Sequence, residues 1–104
     1  MLIHSVYFTL NDNSPAACQK LIDSCYKHLF DEPGVRFGSA GLRTPSLVRE
    51  VNDQDFDVSL LIIFESLEDH DAYQPCANHQ AFIAENQDNF KVVRVFDFDQ
   101  AKPQ

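Results

Sequence analysis

The stretch DVSLLIIFES, residues 57–66, restricts the fold more than any other part of the chain. A strand with one face in water alternates apolar and polar residues. Here Val58, Leu60, Ile62 and Phe64 share one phase, and Leu61 and Ile63 share the other. Such a strand needs cover on both sides. A chain of 104 residues suits one domain with one core, so cover for the second side is scarce.

The flanking segments supply the other elements. Residues 2–10, LIHSVYFTL, are rich in β-branched and aromatic types and read as a strand. Ser14-Pro15 is a helix start, a hydroxyl cap followed by proline at the first helical position. Cys18, Leu21, Ile22, Cys25 and Leu29 recur at helical spacing, which predicts a helix over 15–31 ended by Pro33-Gly34. Residues 35–42, VRFGSAGL, read as a strand whose glycines predict a bulge or bend. Residues 43–54 are polar and read as a loop, and 56–65 as the strand quoted above. Ser66 caps a short helix, with Asp69 three residues on, and Pro75 interrupts it. A second stretch, about 77–88, carries Phe82 and Ile83 on one side. Residues 91–98 form the last strand, and 99–104 an expected flexible tail.

The order β-α-β-β-α-β, its second α split at Pro75, specifies an α+β, ferredoxin-like domain over 1–98. It has a four-stranded antiparallel sheet with helices on one face. Both helical layers fit on that face. The other face stays open, and the economical cover is a second copy of the chain, sheet against sheet. The expected assembly is therefore a homodimeric α/β barrel.

The formal net charge of −8 argues against nucleic-acid partners and against anionic membrane surfaces. The start MLIHSVYF has no basic region ahead of an apolar run, so no signal peptide is expected. Cys18, Cys25 and Cys76 are odd in number and form no C-x-x-C, which favours free thiols and a cytoplasmic setting. No metal and no cofactor are expected. Glu68, Asp69, His70 and Asp71 alternate around a helix and do not converge.

His79 lies three and four residues before Phe82 and Ile83, so it shares their inward face. On the first strand Leu2, His4, Val6, Phe8 and Leu10 share a phase, and His4 is the polar member of that row. If the row faces the helices, both imidazoles enter one apolar space. There they need backbone partners or a ligand.

IHSVYFTL, EPGVRFGSAG, FDVSLLIIFES, the Tyr73-to-His79 segment with its HQAF, and VVRVFDF resemble, in order and spacing, the stress-responsive A/B barrel family. The likeness runs over roughly residues 1–98. It implies the same ferredoxin-like fold and homodimeric barrel. The family ranges from polyketide cyclases of the olivetolic-acid type to stress proteins with no known reaction. The cyclase resemblance maps a catalytic pair onto Tyr73 and His79. It implies that His79 abstracts a proton from a carbon flanked by carbonyls, while Tyr73 donates a hydrogen bond to the oxygen that gains charge. His4, Val6 and Phe8 would form the floor of the pocket, Leu21 and Cys25 a wall, and Phe90 a bulky aromatic. The chain departs from the family where many members have His-Pro-x-His and it has Cys76-Ala77-Asn78-His79. Three functions stay open: a cofactor-independent cyclase or lyase on a small polycarbonyl or phenolic compound, a dimer that binds a small apolar ligand, and a structural stress protein.

Overall fold

The structure, a computed structural model, describes residues 1–103. The chain runs β1 (Leu2–Leu10), α1 (Pro15–His28), β2 (Val35–Leu42), β3 (Val58–Phe64), α2 (Leu67–Tyr73), α3 (Ala77–Asn86), a short 3-10 turn (Gln87–Asn89) and β4 (Phe90–Asp99). The strands form one antiparallel sheet in the order β2-β3-β1-β4. This is the ferredoxin-like arrangement that the element order specifies.

The helix starts follow the capping residues. The Ser14 hydroxyl accepts from Ala17 N–H at 3.2 Å, with Pro15 at the first helical position. The Ser66 hydroxyl accepts from Asp69 N–H and donates to the Asp69 carboxylate. Helix α1 ends at His28, three residues short of the expected limit. Its carbonyls are closed by Leu29 N–H bonding Cys25 O at 2.9 Å, so Leu29, fully buried, is the capping residue. Gly34 then turns the chain with a φ of 86°. A Cβ there would meet Asp69 Cγ at 2.3 Å, so the residue must be glycine for its dihedral and for its neighbour alike. Strand β2 is bulged between Val35 and Phe37, as its composition suggests. Gly38 lies directly under the Phe30 ring.

The core lies between sheet and helices. Leu2, Val6, Phe8 and Leu10 of β1 and Val58, Leu60, Ile62 and Phe64 of β3 are buried there against Cys18, Leu21, Cys25, Leu29, Tyr73 and Phe82. Each aliphatic side chain so buried contributes about 1.5–3 kcal/mol. The helices are tied to one another by polar groups. His28 Nε2 lies 3.0 Å from Glu85 Oε1, the Ser24 hydroxyl donates to Glu85 Oε2, and the Asn86 amide donates to Ser24 Oγ.

The opposite face is the one left open by the count of helices. Direct cross-strand partners place Phe37, Ile63, Ile3 and Phe98 in one row across all four strands, with Leu61 and Phe96 in the next. Phe37, Phe96 and Phe98 are 52%, 54% and 59% exposed. The far end of this face has a cover of its own. Residues 53–56 lie over it: Phe56 meets the Tyr7 ring edge-on at 5.0 Å, Asp53 pairs with Arg94 at 2.8 Å, and the Thr9 hydroxyl donates to Asp55 O. This is why β3 starts at Val58 and not at Phe56. The Asp57 carboxylate anchors the loop's end by accepting from Leu10 N–H and from the Asn13 amide. Strand β4 runs one residue beyond the expected 91–98 at each end, from Phe90 to Asp99, and Gln100 N–H bonds Met1 O.

No helix among the described residues is long and apolar enough to cross a membrane. The three cysteines are free thiols.

Candidate active site

A cavity of about 260 Å³ opens between β1, β4 and the pair α2–α3. His4, Val6 and Phe8 come from the inward row of β1. Tyr73 and Gln74 come from the end of α2, and His79, Phe82 and Ile83 from α3. Phe90, Val93 and Val95 from β4 and Leu60 from β3 complete the lining.

The altered segment before His79 resolves into a third capping site. Cys76 is the N-cap of α3, and its Sγ accepts from His79 N–H at 3.4 Å. Pro75 ends α2 without separating the two expected site residues: the Tyr73 and His79 rings lie 4.8 Å apart. The Tyr73 ring also packs edge-on against Phe64 at 5.0 Å and is only 3% exposed. Burial pushes its phenol well above the usual range, so it stays a donor at any working pH. Among the described residues its hydroxyl has no hydrogen-bond partner, and Tyr73 lines the cavity.

His79 Nδ1 lies 2.8 Å from the Gln74 carbonyl, which can only accept. The proton therefore sits on Nδ1, and Nε2 carries the lone pair. Loss of solvent lowers the His79 pKa. The Gln74 bond opposes that shift, and the proximity of His4 and His70 adds to it. The imidazole is thus neutral near pH 7.

His4 is buried, and its Nδ1 lies 2.5 Å from Asp97 Oδ1, on the residue directly opposite it across the β1–β4 ladder. His70 stacks edge-on against His4 at 5.2 Å and against Phe64 at 5.5 Å. So His70 packs its ring inward while its Nδ1 stays 3.0 Å from Asp71 Oδ1.

Two expected wall residues lie elsewhere. Leu21 and Cys25 are buried core residues and do not line the cavity. Helix α1 packs over β2 and β3, whereas the cavity lies mainly over β1 and β4, with Leu60 of β3 at its edge. Helical phase points both residues inward but does not say over which strands. Burial pushes the Cys25 thiol up to about 12, which removes it as a nucleophile. Gln74 joins the lining unannounced by the sequence pattern, and His70, expected among solvated acids, and Asp97 lie against His4. His70 could have been found from its spacing of three from Tyr73, and Asp97 from sharing the phase of Val93 and Val95 on β4.

Fold and site together define a ferredoxin-like α+β protein with one open sheet face and a histidine–tyrosine cavity under its helices. The stress-responsive A/B barrel domain matches residues 2–100, and the chain belongs to that family. Among solved structures, a protein of Arabidopsis thaliana is 20% identical, with a TM-score of 0.81 over 100% of this chain and 99% of that one. A family member with a ferredoxin-like fold from Mesorhizobium loti is 16% identical, with a TM-score of 0.79 over 97% of each chain. A dimeric ferredoxin-like protein of unknown function from Thermobifida fusca is 17% identical, with a TM-score of 0.79 over 95% and 90%. No curated protein sequence matches the chain.

Proposed function

We propose that the chain is a cofactor-independent cyclase or lyase acting on a small polycarbonyl or phenolic compound, with His79 as general base and Tyr73 as hydrogen-bond donor. The observation that carries this reading is the tautomer of His79. Its Nδ1–H is committed to Gln74 O, which leaves a neutral Nε2 lone pair beside the unpartnered hydroxyl of a buried tyrosine. A base of this kind can take a proton from a carbon between two carbonyls. The phenol can bind the enolate oxygen that results. The cavity is small and largely apolar, at the low end of small-molecule sites, which suits a compact substrate bound through the faces of Phe8, Phe82 and Phe90.

The working unit in this reading is a homodimer joined through the open sheet face in the cytoplasm. The similar Thermobifida fusca protein is described as dimeric, and the exposed row from Phe37 to Phe98 offers an apolar surface for a second copy. Nucleic acid and membrane have no place in it.

The test is turnover of a panel of short poly-β-carbonyl compounds, read by mass spectrometry of the cyclised product. His79→Ala should lower the rate by about 10²–10⁴-fold, and Tyr73→Phe by a smaller factor. Activity that persists undiminished in His79→Ala removes the base. A ligand held with no turnover by either protein assigns the cavity to binding alone.

A further inference from the structure

His4, His70 and Asp97 come from three separate elements, β1, α2 and β4, and converge. One potential ligand atom of each lies within 4.8 Å of the other two. The topology brings them together. Asp97 is the ladder partner of His4, and α2 lays His70 over the His4 ring.

We propose that these three residues bind a divalent transition-metal ion, with Zn(II) the best match. Two imidazoles and one carboxylate are the donor set of zinc, cobalt and iron sites. Calcium and magnesium take oxygen donors instead. Three further observations support a metal here. His70 Nδ1 lies 3.0 Å from Asp71 Oδ1, so Nδ1–H donates to that carboxylate and the lone pair sits on Nε2. A carboxylate behind a ligating imidazole is the common outer support of such a centre. The partner at His70 Nε2 is the neutral Gln74 amide at 3.2 Å, which an ion can displace for the loss of one hydrogen bond. Lastly, Asp97 Oδ1 already lies 2.5 Å from His4 Nδ1, so a carboxylate oxygen and an imidazole nitrogen stand side by side on one edge of the site.

Three protein donors leave at least one position for water, or for an oxygen of a molecule in the adjoining cavity that His4 also lines. The surplus of acidic residues draws cations toward the site. The inference stands on this ligand geometry and does not depend on proton abstraction by His79.

The experiment titrates the chelator-treated, full-length protein with Co(II) and then Zn(II). One equivalent of Co(II) per chain should produce visible ligand-field bands that Zn(II) abolishes. His70→Ala and Asp97→Ala should lose stoichiometric binding, with folding checked by circular dichroism. Asp71→Asn should bind about 10–100-fold more weakly. His28→Ala, on the α1–α3 seam, should bind as the parent does. NMR of the unaltered protein supplies a reading free of variant folding: Zn(II) should shift the ring signals of His4 and His70 first. No uptake by the unaltered protein, undiminished uptake by both alanine variants, or shifts confined to His28 or His79 would overturn the proposal.

Discussion

The Tyr73 and His79 rings lie 4.8 Å apart at 49°, although a helix break at Pro75 stands between them in the chain. Between them Cys76 caps α3, and its sulfur accepts from the backbone N–H of His79 itself, the third residue of the first turn. The groups facing His79 are Tyr73, Gln74 and His70 of α2, Cys76 at the cap and His4 of β1.

With its pKa lowered in the fold, His79 makes a contribution to stability with a definite sign. The unfolded chain takes up a proton as pH falls through about 6.5, while the folded chain resists until lower pH. Stability is therefore complete above the unfolded value and declines as pH drops through the window below it. Urea midpoints of chelator-treated protein between pH 5 and 7.5 should show this decline. His79→Gln should flatten it. An unchanged slope in that variant would assign the effect to other groups.

Gly34→Ala forces a left-handed dihedral on a residue with a Cβ and drives that Cβ into Asp69. The dihedral alone costs about 1–2 kcal/mol. Displacing Asp69 also disturbs the cap of α2 at Ser66. Equilibrium denaturation should show a loss at least that large, and Gly38→Ala, against the Phe30 ring, should also destabilise. A neutral Gly34→Ala would mean that the turn relaxes freely.

Sedimentation should give a particle of twice 11.9 kDa, and placing a charge in the exposed row should break it. Phe98→Glu is the direct choice, since Phe98 is the ladder partner of Ile3 and is 59% exposed. The expected outcome is a folded monomer. A dimer that persists in this variant would locate the contact elsewhere.

Alkylation of the native protein should modify Cys76 first. Cys76 is part-exposed at a helix start, whereas Cys18 and Cys25 are buried and both have raised pKa values, chiefly from loss of solvent. Peptide mapping after brief treatment should find Cys25 unmodified until denaturant is added.

The layers were legible because they rest on local periods. The alternation on β1 placed His4, Val6 and Phe8 inward, and the doubled apolar phase of β3 required cover on both faces. What escaped depends on register and on which strands a helix covers. Asp97 is a polar residue of an exposed edge strand until the ladder sets it opposite His4. Leu21 and Cys25 have the phase of lining residues yet sit over the wrong half of the sheet for the cavity. His70 is hidden by composition. Three acids in LEDHDAY suggest a solvated helix face, while its ring is packed edge-on against Phe64. The loop over 43–57 looks featureless because its order comes from Tyr7, Arg94 and Thr9 beneath it.

That loop gives the open surface a direction. Its Asp53–Phe56 segment occupies the Thr9 end of the sheet, and the Phe37–Phe98 row lies at the opposite end. A docking twin therefore meets a stop on one side and grease on the other. It cannot slide toward the Thr9 end without striking the stop, so the lengthwise alignment of such a pair is bounded in that direction.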